Sequence, residues 1–131
     1  MNKKIIIIGV IFLAIVLFFI IGSDYDTIKG VELRDEISSW ESGPYTFIQG
    51  NIENKTNKDV KDYAVIVEVY DDDGDFVIVA SKTNQDCITA QNTEYFDVRF
   101  RTEKLNGKDV DLDKCKVFVV SQETYDKRYN D

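Results

Sequence analysis

Tyr63-Ala64-Val65-Ile66-Val67-Glu68-Val69-Tyr70-Asp71-Asp72-Asp73-Gly74-Asp75-Phe76-Val77-Ile78-Val79 is the stretch that decides the fold. Two runs rich in β-branched and aromatic side chains flank a cluster of aspartates that ends in Asp-Gly-Asp. Such runs favour the extended backbone, and Asp-Gly readily supplies the positive φ angles of a tight turn, so the stretch reads as a β-hairpin. Side chains of a strand alternate between its faces, which places Tyr63, Val65, Val67 and Val69 together on one side.

Working outward, the same period-two pattern recurs between clusters of Gly, Asn, Asp and Thr. Strands are expected at Val31 to Trp40, Tyr45 to Asn54, Tyr63 to Tyr70, Phe76 to Thr83, Glu94 to Thr102 and Lys114 to Ser121, with no comparable helical stretch among them. Inward positions would be Ile48, Gly50 and Ile52, then Phe96, Val98 and Phe100, then Cys115, Val117 and Val119, with Trp40 and Ile88 closing the ends. Pro44 follows Gly43 between the first two strands, where a missing N–H does little harm. Short strands at this spacing predict an all-β, immunoglobulin-like antiparallel sandwich over residues 31–131.

A different segment precedes it. Ile5 to Ile21 is 17 residues of Ile, Val, Leu and Phe interrupted only by Gly9 and Ala14. As a helix it would extend about 26 Å, close to a hydrocarbon thickness of roughly 30 Å. One N-terminal transmembrane α-helix is therefore expected within residues 1–22, with residues 23–30 as a linker. Lys3 and Lys4 precede the run and acidic Ser23-Asp24-Tyr25-Asp26 follows it, so the N-terminus is expected in the cytoplasm and the C-terminal part outside. The run is longer than the usual signal-peptide core and its exit, Ile20-Ile21-Gly22-Ser23, lacks paired small residues. A retained single-pass cell-membrane anchor is thus favoured over a cleaved leader. A pilin-like filament stem is the third reading, although no acid interrupts the run.

Composition narrows the functional classes. The chain carries 24 acidic against 16 basic residues, a net charge of −8, and no acid precedes Ser23. Nucleic acids are bound chiefly by neutralising phosphates, so no nucleic-acid partner is expected. Histidine is absent, which removes the commonest general base and the commonest metal ligand. No catalytic motif marks a nucleophile beside a base, so no catalytic residues, no cofactor and no enzymatic activity are expected.

Several residues invite a more specific reading. Asp71, Asp73 and Asp75 are weak candidates for calcium, although the spacing does not fit an EF-hand and a plain hairpin turn explains them as well. Cys87 and Cys115 would lie outside the membrane, where thiols tend to pair, and their disulfide would contribute roughly 3.5 kcal/mol. Asn54-Lys55-Thr56 is a glycosylation sequon in a turn. Ile66 and Tyr70, with Ile78 or Phe76 beside them, would form an apolar interaction face unless something covers them.

Three segments carry a family likeness. Ile48-Gln49-Gly50-Asn51-Ile52-Glu53-Asn54, the strand running into Tyr70-Asp71-Asp72-Asp73-Gly74, and Ile88 to Phe100 occur in the order of a known pattern. This resembles the FxLYD domain, an immunoglobulin-like module of prokaryotic surface and secreted proteins, over about residues 48–100. Val67 and Val69 stand where its name-giving Phe and Leu would be, and Ala90-Gln91 replaces its Pro-Gly. The resemblance implies a sandwich and brings no catalytic residue. The expected function is a membrane-anchored extracytoplasmic binding or assembly module with a protein or cell-envelope partner. The alternative is an accessory subunit held in a membrane complex mainly through its helix.

Overall fold

The computed structural model describes residues 25–129, and the apolar run at 5–21 with Lys3 and Lys4 lies outside them. Six strands form: β1 (Val31–Ser42), β2 (Tyr45–Asn54), β3 (Val60–Tyr70), β4 (Phe76–Ile88), β5 (Thr93–Arg101) and β6 (Lys116–Ser121). A 3₁₀ turn spans Thr102–Leu105, and helix α1 (Gln122–Tyr129) follows β6. The strands make two three-stranded antiparallel sheets, ordered β1-β2-β5 and β4-β3-β6. Together they build an all-β sandwich.

Two hairpins set the register. Gly43 takes φ +57° ahead of Pro44, and Ser42 pairs with Tyr45 across this two-residue turn. A glycine at the first turn position and an imino acid at the second suit a II′ geometry that follows the twist of the strands. In the β3–β4 turn, Gly74 takes φ +84° and the Asp71 carboxylate accepts the N–H groups of Asp73 and Asp75, each at 3.0 Å. That turn is an aspartate folded over its own backbone.

The inward faces meet as the alternation requires. Ile48, Ile52, Tyr63, Val65, Val67, Val69, Phe96, Val98, Phe100 and Val119 are buried in one cluster, with Cys115 and Val117 half-buried against it. Ile88 is fully buried at one end. At Gly50 a Cβ would sit 3.0 Å from both Ile37 Cγ2 and Phe96 Cε1, so a larger residue there would press on the Phe96 ring.

β3 is buried on its other face as well. Ala64 and Ile66, with Val120 of β6, form a second cluster covered by Tyr25, Val79, Phe118 and Tyr125. The segment before β1 supplies Tyr25 of this cover, and helix α1 supplies Tyr125. The Ser121 hydroxyl caps it by accepting the Thr124 N–H at 3.1 Å, and Glu123 pairs with Lys127 one turn on at 3.1 Å. The Tyr125 and Tyr129 rings pack at 4.9 Å, and the Tyr125 hydroxyl reaches Ser81 Oγ at 2.9 Å.

Several expectations are corrected here. Residues 25–30 are not a free connector: Thr27 bridges Val120, the Ile28 N–H donates to the Val119 carbonyl at 2.9 Å, and Tyr25 packs on Phe118 at 4.8 Å. Arg128 lies 4.6 Å over the Tyr25 ring, and the Tyr25 and Tyr129 hydroxyls share a hydrogen bond. Burial pushes the Tyr25 phenol above its ordinary range. Trp40 does not close the core; it lies on the outer face, 38% exposed. β3 begins at Val60 and β4 continues to Ile88, so the Val60–Ile88 and Lys61–Cys87 pairs lengthen the ladder beyond the apolar runs.

Because Ile66 is fully buried, Ile66→Ala should lower unfolding free energy by about 2–5 kcal/mol in urea denaturation. A loss under about 1 kcal/mol would mean that α1 does not cover that face.

Candidate functional site

The outward face of the β1-β2-β5 sheet gathers side chains of an unusual kind for so acidic a chain. Register aligns Trp40, Phe47 and Arg99 in one row and Ser42, Tyr45 and Arg101 in the next. Ser38, Gln49 and Asp97 form a third row, and Arg34, Asn51 and Tyr95 a fourth. Their neighbours Ile48, Ile52, Phe96, Val98 and Phe100 point inward, so strand alternation alone drives this set out.

The face is ordered by its own contacts. The Trp40 and Phe47 rings stack at 4.8 Å with planes 7° apart. Arg99 and Arg101 lie 4.6 and 5.6 Å over the Tyr45 ring, and neither has an ion pair among the described residues. The Tyr95 hydroxyl, on a residue 53% exposed, donates to Gln49 Oε1 at 3.0 Å, and Gln49 Nε2 donates to Ser38 Oγ at 2.9 Å. Arg34 Nη1 donates to Thr93 Oγ1 at 3.1 Å. Beside β5 an open cleft of about 470 Å³ is lined by Phe47, Ser81, Lys82, Asp97, Val98 and Arg99.

The chain's single tryptophan and three of its four arginines therefore share one exposed sheet face. Trp, Tyr and Arg are the residue types enriched at the energetic centres of protein interfaces, because they bring large area and several donors on stiff frames. Stacking and cation–π contacts hold these groups in place before any partner arrives, which lowers the ordering cost of contact. Sequence reading left Tyr45, Phe47 and Tyr95 unremarked. The signal was present in the residues between the core positions, Tyr45-x-Phe47 and Tyr95-x-Asp97-x-Arg99-x-Arg101.

The interaction face expected at Ile66, Tyr70 and Ile78 does not exist as a unit. Ile66 is fully buried beneath α1. Ile78 pairs with Val69 and packs into the main core, because an irregularity between Val69 and Tyr70 shifts the register of β4. Tyr70 keeps only partial exposure, against Phe76 at 5.9 Å.

The acidic turn is brought together differently from the expectation. Carboxylate oxygens of Asp71, Asp72 and Asp73 lie within 4.8 Å of one another, whereas Asp75 is outside this group. Lys108 enters it, with its ammonium 2.5 Å from Asp73 and 4.0 Å from the buried Asp71. One Asp71 oxygen is already committed to two backbone N–H groups, so the turn satisfies itself by hydrogen bonds and an internal cation.

The disulfide and the sequon are corrected outright. Cys87 and Cys115 are free thiols. Cys87 pairs with Lys61 near the start of β3, while the Cys115 thiol sits by the Tyr70 backbone at its far end. Nine residues of strand separate these points by about 30 Å, against the roughly 7 Å limit of Cα separation in a disulfide. Burial pushes the Cys115 thiol up. Asn54 is fully buried, and its Nδ2 donates both protons, to the Lys58 carbonyl at 2.8 Å and the Ile88 carbonyl at 2.9 Å. Its Oδ1 accepts the Thr56 N–H and hydroxyl at 3.0 and 2.6 Å, so the amide is structural and a glycan has no room.

No family model matches the chain, and no curated protein matches it. Among solved structures, a beta-glucuronidase from glycoside hydrolase family 2 aligns with a TM-score of 0.40 and 10% identity. That alignment covers 55% of this chain and 9% of that chain, and a likeness so slight carries no argument about function.

Two outcomes test this geometry. Asn54→Ala should cost about 1–3 kcal/mol in chemical denaturation, since it removes the buried donor to the Ile88 carbonyl and the acceptor of the Thr56 N–H; an unchanged midpoint would refute the buried role. The Lys108 ammonium, by its hydrogen bond and charge, holds the Asp73 carboxyl below its ordinary value. This pair stabilises above the ordinary carboxylate range and loses its effect as pH falls through the lowered value. Lys108→Ala should therefore raise the Asp73 pKa in an NMR titration, and no movement would contradict the contact.

Proposed function

We propose that this chain is a single-pass surface protein whose extracytoplasmic domain is a non-catalytic binding or assembly module. It recognises a protein or cell-envelope partner through the outward face of the β1-β2-β5 sheet. The observation that carries this reading is the convergence of Trp40, Tyr45, Phe47, Tyr95, Arg99 and Arg101 on that face. The face offers donors and π surfaces, which are the chemistry of recognition.

The anchor follows from Ile5 to Ile21 with Lys3 and Lys4 before it. Among the described residues no helix is long and apolar enough to cross a membrane, and the tether of this reading is the run that precedes them. Residues 25–28 are pinned to β6 and Phe118 soon after the run ends, which would hold the domain close to the bilayer with little slack.

The strand order also supports an immunoglobulin-like assignment. Taking β1, β2, β3, β4, β5 and β6 as A, B, C, C′, E and F gives A-B-E against C′-C-F, two sheets of that plan without its last strand. An FxLYD-type surface module fits this order and the Tyr70-Asp71-x-x-Gly74 turn. In this assignment the loops and faces are free for partner-specific side chains, while the core positions serve folding.

Crosslinking of the full chain in native membranes, read by mass spectrometry, should recover one dominant partner. Trp40→Ala and Arg101→Ala should each cut that recovery about tenfold while leaving the melting temperature nearly unchanged. Equal recovery by both variants would move recognition off this face. Protease added to intact cells should digest the part beyond residue 30; full protection, or release of a trimmed domain into the medium, would overturn the tethered topology.

A further inference from the structure

The sandwich has four lateral edges, and three of them are blunted. The β1 ladder is irregular between Arg34 and Ser38, where Asp35 takes φ 62°. The β3–β4 ladder is interrupted twice, and β4 carries Asn84 at φ 56°. The outer edge of β6 is occupied by Thr27 and Ile28. Bulges and covering segments are the devices by which proteins prevent strand addition at an edge.

β5 has no bulge and, among the described residues, no strand or segment paired along its free side, where Ser81 and Lys82 of β4 approach it. Its nine residues, Thr-Glu-Tyr-Phe-Asp-Val-Arg-Phe-Arg, contain no Gly or Pro and pair with β2 in unbroken register. Among the described residues its other side pairs with no strand. The cleft of about 470 Å³ opens on that side, and its β5 lining is Asp97, Val98 and Arg99, the middle of the strand's outer half. A regular edge of this length is a template for another strand.

The side chains name the occupant. If a second β5 lies antiparallel with Val98 opposite Val98, each Asp97 faces Arg99 of the other copy and each Tyr95 faces Arg101. On the inner side Phe96 meets Phe100. Opposite charges and aromatic pairs directly across an antiparallel ladder stabilise it, while like charges destabilise it. Centring on Asp97 puts two aspartates face to face, and centring on Arg99 puts two arginines face to face. Half-step registers place an outward side chain opposite an inward one.

We infer that two copies of this chain pair through β5, centred on Val98, into a continuous six-stranded sheet β1-β2-β5-β5-β2-β1. The Lys82–Asp97 ion pair at 3.5 Å lies on the same edge and is only partly buried, so Arg99 of the second copy displaces or joins it at modest cost. The assembly doubles the aromatic and arginine face across its two-fold axis, as an isologous interface does. It does not depend on that face having any other partner.

A charge-swap cycle on the full chain in detergent tests the register, with dissociation constants from sedimentation and folding followed by thermal melting. Asp97→Arg and Arg99→Asp should each weaken the dimer about tenfold or more, since two cross-strand pairs turn repulsive. The double variant Asp97→Arg with Arg99→Asp should return to near the starting affinity. If either reversal fails to fold, Asp97→Asn and Arg99→Gln should still weaken the dimer, by less. A chain that stays monomeric at all concentrations, a dimer indifferent to both single changes, or a double variant no better than the singles overturns the pairing. Association through the anchor helix alone would give the second of these.

Discussion

Burial of β3 on both faces is the constraint on which the rest of this structure depends. Tyr63, Val65, Val67 and Val69 lock into the facing sheet, while Ala64 and Ile66 are sealed by Tyr25, Val79, Phe118 and Tyr125. A strand apolar on both sides cannot stand at a wetted surface, so its sheet must be covered by something outside the sandwich. Here the cover is one short helix and the segment that leads into β1. The entry and exit of the domain are thereby fastened together at one place, through Tyr25, Arg128 and Tyr129.

The other sheet presents a different outer surface. Among the described residues the β1-β2-β5 face has no helix on it, and its side chains include the stiff, donor-rich types that suit recognition. Arg34, Arg99 and Arg101 share that face with Glu32, Glu53 and Asp97, so charges of both signs are interspersed on it.

Much of this was legible in the residues. Alternation found the inward faces of β2, β3, β5 and β6, and Asp-Gly and Gly-Pro marked the hairpins, because both signals are local. What failed was tertiary. Ile78 was misassigned because a single irregularity inverts every side chain beyond it, and periodicity carries no warning of that. The cysteines are 28 positions apart in sequence, and only topology shows that they occupy opposite ends of β3. Asn54 looked like an exposed turn residue because nothing local says that Ile88 will bring a carbonyl to it. Helix α1 had a signal that went unread: Ser121 as cap, Glu123 in the first turn, Lys127 and Arg128 in the last, and Tyr125 with Tyr129 on one face. Eight residues with two tyrosines give too little apolar period to stand out beside six strands.

Native-state hydrogen exchange on the full chain is the most direct measurement of the central claim. If β3 is sealed on both faces, the amides of Val65, Ile66 and Val67 exchange only through global unfolding, with a free energy equal to that from denaturant. Exchange of those amides through a smaller opening, at the level of β1 or the loops, would contradict the account.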